Sequence, residues 1–202
     1  MTLILCYVLA TANHGKIAEM RKILSALGID SVSRADLNIT MEIEETGSTF
    51  LENAILKARA ISAASGKPAI ADDSGLVVDA LGGEPGLFSS SYGGEKLTDK
   101  ERCIYLLDKM RKVEQRQAKF VCTIVCSFPD GELLTASGEC HGSISTEPLG
   151  VSGFGYDPVF IPAGMKKTMA ELSFEEKNKI SHRAIALYEF SSVLKTFLSE
   201  TL

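Results

Sequence analysis

The sequence predicts an α/β chain built on a mixed β-sheet, and three observations carry that expectation. Apolar, strand-like runs alternate with amphipathic helical segments through the first half. The middle reads as an antiparallel ribbon folded at Pro129-Asp130-Gly131-Glu132. Three helix starts are marked by Thr or Ser with Glu three residues on: Thr49 with Glu52, Thr98 with Glu101, and Ser173 with Glu176. At 202 residues the chain amounts to one domain, at most with two lobes, and it shows no repeat, linker or low-complexity tract.

Taken in order, residues 3–10 are apolar and read as a buried first strand. Thr11-Ala12-Asn13-His14-Gly15-Lys16 is polar, and a helix follows with Ile17, Met20, Leu24 and Leu27 at near-helical spacing and Gly28 as its stop. Ile39, Met41 and Ile43 alternate with Thr40, Glu42 and Glu44, which predicts a half-exposed strand with both glutamates on one face. The next helix runs from the Thr49 cap to about residue 65, with Leu51, Ile55, Ala58 and Ser62 inward and Gly66 as its stop. Pro68-Ala69-Ile70-Ala71 is a short strand leading into an acidic turn, Asp72-Asp73-Ser74-Gly75. Leu76-Val77-Val78 is apolar again, and residues 81–86 form a loop. Ile104, Leu107 and Met110 continue the helix opened at Thr98, and residues 120–126 form a buried strand paired with one from Leu133 to about Gly142. Residues 150–162 are a loop and short strand rich in glycine and aromatics. The last helix carries Ile185, Tyr188, Leu194 and Phe197.

Composition removes several classes of function. With 21 Lys and Arg against 26 Asp and Glu, the net charge of -5 disfavours a protein that coats nucleic acid, and the lack of Trp leaves little for base stacking along a strand. It leaves room for a small anionic substrate held by a local cluster or a metal. The first residues lack the Lys or Arg of a signal peptide, and no apolar run approaches the ~18 residues of a membrane helix. The expectation is a cytoplasmic protein without membrane association. Five cysteines without a CxxC pair read as buried thiols in a reducing compartment, a zinc site or reactive thiol being the alternative. His14, His141 and His182 lack metal-ligand spacing, and no serine sits in a G-x-S-x-G elbow.

Chemistry concentrates in four places. The segment from Thr11 to Lys16 lies where a strand feeds a helix, so main-chain N–H groups, the helix dipole and the Lys16 charge favour an anion there; a capped helix start with a solvated lysine is the plainer reading. It does not match the G-x-x-x-x-G-K-[ST] phosphate loop. Asp72 and Asp73 point in different directions from a strand end and offer hard oxygens to Mg²⁺, with Glu42, Glu44 and Glu45 as a second acidic cluster. Gly153-Phe154-Gly155-Tyr156-Asp157-Pro158 is either a core-pinned turn or a base-stacking wall with Asp157 as polar reader. Residues 166–183 hold five Lys and Arg against three Glu, a local surplus from which Lys177, His182 and Arg183 could meet phosphate or base oxygens. Lys57 lies off the apolar stripe of its helix, either solvated or reaching a phosphate.

In order and spacing, Ala10-Thr11-Ala12-Asn13-His14-Gly15-Lys16, Glu44-Glu45-Thr46-Gly47, Phe50-Leu51-Glu52-Asn53-Ala54, Ala71-Asp72-Asp73-Ser74-Gly75-Leu76, Gly82-Gly83-Glu84-Pro85-Gly86, Gly153-Phe154-Gly155-Tyr156-Asp157-Pro158 and Ser181-His182-Arg183 resemble the inosine triphosphate pyrophosphatase family, also called Ham1-like. The resemblance covers residues 9–187; Ala12 stands where many members carry Gly. It implies an elongated, two-lobed single domain with a long mixed sheet flanked by helices and a cleft between the lobes. It also implies a homodimer that hydrolyses ITP, dITP, XTP and dXTP to monophosphate and pyrophosphate with Mg²⁺, cleansing the nucleotide pool. Carried onto this chain, Asp73 resembles the catalytic and metal-associated aspartate, Glu44 its acidic metal partner, and Asp72 a helper. Thr11, Ala12, Asn13, His14, Gly15, Lys16, Lys57 and Lys177 correspond to triphosphate contacts, and Ser74 adjoins the substrate. Phe154, Gly155, Tyr156, Asp157, His182 and Arg183 correspond to the base side, where a donor such as Arg183 would pair with a 6-oxo group that adenine lacks. Two other readings compete: a Maf-type pyrophosphatase acting on modified pyrimidine or methylated nucleotides, and a nucleotide-binding regulatory domain without catalysis.

Overall fold

The computed structural model describes residues 6–201. In chain order its strands and α-helices are β1 (Tyr7–Leu9), α1 (His14–Ala26), β2 (Ser31–Ser33), α2 (Phe50–Ser65), β3 (Ala69–Val78), α3 (Asp99–Lys109), β4 (Gln117–Ser127), β5 (Leu133–Ile144), β6 (Phe160–Pro162), α4 (Phe174–Ile180) and α5 (His182–Thr201). The strands form a mixed sheet in the order β2-β1-β3-β4-β5-β6. β1 runs parallel to β2 and β3, with Val8 opposite Ala69 and Leu9 opposite Ile70, whereas β5 and β6 are antiparallel. The expected α/β class with a mixed, helix-flanked sheet is therefore present. No helix of the described residues is long and apolar enough to cross a membrane.

The chain divides into two compact units. Among the described residues the first comprises 6–73, 122–138 and 183–201, and the second comprises Ser74–Val121 and Glu139–His182. In the first, strand alternation sorts side chains into two apolar layers. Tyr7, Leu9, Ile70, Cys122, Ile124 and Cys126 pack with Met20, Ile23 and Leu24 of α1 and with Ala184, Leu187 and Phe190 of α5. Val8, Ala10, Ala69, Ala71 and Val125 instead pack with Ala54, Ala58 and Ile61 of α2. In the second unit, Leu76 and Val78 of β3, Cys103, Leu106 and Met110 around α3, and Phe120, Tyr156, Val159 and Phe160 share one core.

Local signals explain the element ends. Thr49 accepts a hydrogen bond from the Glu52 N–H, and Gly66 closes α2 in the left-handed region at φ 64°. Thr98 with Glu101 and Ser173 with Glu176 form complete reciprocal caps on α3 and α4. The β4–β5 turn closes through the Phe128 N–H on the Glu132 carbonyl at 2.9 Å.

Four local expectations are corrected. Residues 39–44 form no strand: the Ile39 and Met41 carbonyls accept from the Arg34 guanidinium, so their hydrogen bonds are met without a ladder. Asp72-Asp73-Ser74-Gly75 is not a turn but the interior of β3, because cations from the flanking helices neutralise the two carboxylates. The buried face of α2 is Asn53, Ala54, Lys57, Ala58, Ile61 and Ser62, leaving Leu51 41% exposed. On α5, Ile185 and Tyr188 are turned outward, and Ala184, Ala186, Leu187 and Phe190 are buried. Of the first strand as read from the sequence, residues 3–5 lie outside the described residues.

The α2 face has a direct test. Ile61→Ala removes a fully buried side chain and should lower unfolding stability by about 2–5 kcal/mol. Leu51→Ala should change it by about 1 kcal/mol or less. Urea unfolding of the two variants at equal protein concentration measures both.

Candidate active site

The site is built first from β3. Side chains alternate along a strand, so Asp72 shares a face with Ile70, toward α1 and α5, and Asp73 shares a face with Ala71, toward α2. Each carboxylate meets cations from its own helical layer. Lys16, in the first turn of α1, places Nζ 2.9 Å from Asp72 Oδ2. Arg183, near the start of α5, donates to the same carboxylate through Nε at 3.2 Å and a terminal nitrogen at 3.0 Å. Its other terminal nitrogen donates to Glu19 of α1. On the opposite face, Lys57 of α2 donates from Nζ to Asp73 Oδ1 at 2.7 Å and to Glu45 Oε2 at 3.0 Å.

These neighbours set the titration of the two aspartates differently. Burial raises the Asp72 carboxyl, but the charges of Lys16, Arg183 and Lys57 outweigh it and hold the group far below the usual carboxylate range. For Asp73 burial wins: against the lowering effect of Lys57 and Lys16, it pushes the carboxyl up to about 6, with Glu45 adding in the same direction. The Lys57 ammonium is disfavoured by burial, yet the charges of Asp73, Asp72 and Glu45 raise it above its ordinary value. The strand thus carries one permanently ionised carboxylate and one poised close to neutral pH.

The segment before α1 is exposed and locally ordered. The Asn13 side chain caps the helix by accepting from the Lys16 N–H at 3.0 Å, and Thr11 Oγ1 accepts from the Asn13 N–H at 3.1 Å. α1 therefore begins at His14, slightly earlier than its apolar residues suggest, and of its first N–H groups that of Lys16 is taken by the Asn13 cap. Ala12 does not take a left-handed conformation, so its methyl group carries no backbone strain. Ser74 follows Asp73 on β3 and is half-buried.

Glu44 is exposed, and it is its neighbour Glu45 that reaches Lys57. Asp73 and Glu45, gathered on one ammonium, present hard oxygens of the kind Mg²⁺ prefers, and that ion needs few protein ligands. No group of three or more ligating side chains occurs among the described residues. The donor chemistry suits Mg²⁺ without forming a closed cage.

In the second unit the glycine-aromatic segment is pinned from several sides. The Phe154 N–H donates to Asp157 Oδ2 at 2.9 Å, and Lys177 Nζ meets the same oxygen while lying 4.7 Å from the Phe154 ring centroid. The Gly155 N–H donates to Asp99 Oδ2 at 2.7 Å, and the Tyr156 hydroxyl donates to the Ser89 carbonyl at 3.0 Å. Tyr156, Asp157 and Lys177 are buried, whereas Phe154 and Gly155 are half-buried. His182 is buried and stacks on Phe120 with ring centroids 4.6 Å apart.

Sequence reasoning missed three participants. Glu45 rather than Glu44 closes on Lys57; Glu19 shares Arg183; and Asn53 accepts the Gly47 N–H at 2.8 Å. Asn53 and Lys57 stand four residues apart, a spacing that stacks two polar side chains on one helix face and was the available signal. Arg183 was expected as a base donor; its guanidinium is 98% buried and engaged by Asp72 and Glu19.

The electrostatics make a stability prediction. The folded-state value of Asp72 lies below its unfolded value, so its ion pairs stabilise the fold above about pH 4 and lose that effect only in stronger acid. Asp72→Asn leaves Arg183 and Lys16 without their shared partner and should lower stability at pH 7 by about 3–5 kcal/mol, measured by urea unfolding.

Comparison with known proteins places this geometry in context. The model of the Ham1 family matches residues 7–193. The dITP/XTP pyrophosphatase of Bacillus subtilis is 48% identical over 190 residues, which is 93% of this chain and 96% of that protein. The dITP/XTP pyrophosphatase of Escherichia coli K12 is 50% identical over 184 residues, 89% of this chain and 93% of that one. A HAM1 protein from Coxiella burnetii matches in structure with a TM-score of 0.86 at 43% identity, covering 95% of this chain and 99% of its own. The Staphylococcus aureus Ham1 protein matches with a TM-score of 0.84 at 42% identity, covering 95% and 98%. The family model spans the acidic centre of β3, the residues of α1, α2 and α5 that neutralise it and the pinned glycine-aromatic segment: the chain belongs to the Ham1 family.

Proposed function

We propose that this protein hydrolyses non-standard purine nucleoside triphosphates of the dITP and XTP type to the monophosphate and pyrophosphate. The observation that carries the reading is the pair of lysine–aspartate contacts on opposite faces of β3, Lys16 with Asp72 and Lys57 with Asp73. It occurs in a chain whose curated relatives are named dITP/XTP pyrophosphatase. Lys16 and the exposed N–H groups at the start of α1 bind the polyphosphate, the helix dipole adding to the lysine charge. Lys57 turns from its carboxylates toward phosphate oxygens as the substrate enters. Thr11, Ala12, Asn13, His14 and Gly15 frame the same anion.

Asp73 orients the attacking water and draws on its proton. Its elevated value brings the carboxylate nearer neutral pH than an ordinary aspartate, which improves it as a base while leaving it mostly ionised at pH 7. The water oxygen bonds to the α-phosphorus, and the bond from that phosphorus to the α–β bridging oxygen breaks. Pyrophosphate leaves with the electron pair, and the proton from water passes by way of Asp73 to solvent. Mg²⁺, when bound, would be held by Asp73 with Glu44 or Glu45 and would supply positive charge to the phosphoryl oxygens.

Ser74, Phe154, Gly155, Tyr156, Asp157, Lys177 and His182 keep their assignment as substrate contacts within this proposal. Arg183, held in place by Asp72 and Glu19, keeps its assignment on the base side within this proposal. The protein is further proposed to act in the cytoplasm as a homodimer on small-molecule nucleotides.

Two experiments test the reading. A panel of dITP, XTP, ATP, dGTP, dUTP and dTTP with Mg²⁺ should give monophosphate plus pyrophosphate, fastest for dITP and XTP. Chelation should stop the reaction, and Asp73→Asn should abolish it. Preference for a pyrimidine overturns the substrate class, and absence of turnover with every nucleotide favours a binding domain. Lys16→Ala should lower kcat/KM about one to two decades for every base alike, because the lost charge lies on the phosphate side; a loss confined to one base overturns its assignment.

A further inference from the structure

The acidic segment at residues 39–47 has no strand or helix of its own, yet Glu45 keeps a defined place on Lys57. Glu42, Glu44 and Glu45 are all exposed. Ile39 and Ile43 pack against the core beneath α2 and Arg34 holds the Ile39 and Met41 carbonyls, so the near side of the segment is fixed; the far side, beyond Glu45, is held by a further side chain. Asn53, only 5% exposed on the inner face of α2, accepts the Gly47 N–H with Oδ1 at 2.8 Å. The approach is close: a Cβ on Gly47 would lie 2.7 Å from Asn53 Oδ1, 2.7 Å from Glu52 Cβ and 2.9 Å from the Asn53 nitrogen. Gly47 takes no left-handed conformation, so space rather than backbone angle demands glycine there. Asn53 and Lys57 lie one helical turn apart on the same buried face, so one stretch of α2 carries both the tether and the ammonium that joins Glu45 to Asp73.

Resting on the pyrophosphatase reading above, we propose that Asn53, together with Gly47, is a positioning residue for hydrolysis. Its side-chain carbonyl clasps the acidic segment to α2 and so keeps Glu45 at Lys57, beside Asp73, with Glu44 one residue away. The start of the helix does not depend on this clasp. Thr49 caps the Glu52 N–H, and the Glu52 carboxylate separately accepts from the Ser48 N–H and hydroxyl.

Asn53→Leu removes the acceptor at similar volume, and Asn53→Asp restores one. Two readouts are taken on the full chain: the rate of cleavage after Glu42, Glu44 and Glu45 by a glutamate-specific protease, and the kinetic constants for dITP with Mg²⁺. Asn53→Leu should be cleaved in this segment roughly tenfold faster and lose roughly 10- to 100-fold in kcat, with KM for dITP changed about twofold or less. Asn53→Asp should lie close to wild type in both. Unchanged cleavage in Asn53→Leu overturns the clasp. Faster cleavage with unchanged kcat overturns its role in the reaction, and an Asn53→Asp that behaves like Asn53→Leu overturns both. If Asn53→Leu fails to fold, Gly47→Ala opens the same contact from the loop side and is judged by the same outcomes. A wild-type protein that releases no pyrophosphate refutes the functional reading instead, while the protease readout still decides the clasp.

Discussion

The pleat of β3 between residues 72 and 73 governs the arrangement around it. Two neighbouring carboxylates in a strand interior would repel each other and resist burial, were they on one face. The alternation of the strand sends them to opposite sides, where separate helices meet them with separate cations. Asp72 becomes a structural charge, shared by Lys16 and Arg183 and never protonated near neutral pH. Asp73 has one close ammonium, and burial leaves its carboxyl raised. The alternation of the strand thus gives two adjacent carboxylates opposite electrostatic settings.

Much of this was legible in the sequence. The alternation of strands and helices, the three caps, the hairpin turn and the lysines and aspartates of the centre all follow from local patterns. What escaped was the placement of buried charge. Apolar periodicity treats lysine, arginine and aspartate as marks of solvent, so it turned α2 about its axis to put Leu51 inside and Lys57 outside. For the same reason it broke β3 at its two aspartates. The inner faces of these elements are set by ion pairs between residues as far apart in sequence as Asp72 and Arg183, which no local window contains. The false strand at residues 39–44 has a different origin: alternation was present, but the Arg34 guanidinium took carbonyls that a ladder would have used.

The second unit uses a related device for a different end. The segment around Phe154 has glycines at positive φ on both sides of that residue, at 77° for Gly153 and 61° for Gly155, which would leave it mobile if untethered. Asp157 fills the space beside Gly153, takes the Phe154 N–H and pairs with Lys177, while Asp99 takes the next N–H. Here the buried Asp157 and the exposed Asp99 accept main-chain donors of a loop, Asp157 meeting a side-chain cation as well, where the carboxylates of β3 meet side-chain cations. The outcome is a half-buried aromatic ring on a rigid mount.

The two contacts made by Lys57 also bear on how a polyanion enters. That ammonium is already paired with Asp73 and Glu45. Under the proposed function the protein's own carboxylates are internal stand-ins for phosphate, and ligand uptake at Lys57 would be an exchange of counter-ions rather than the filling of bare positive charge. Weak monovalent anions from the medium compete poorly in such an exchange. On that reading a triphosphate, carrying several charges on one chain, would displace both placeholders together and free Asp73 as it arrives.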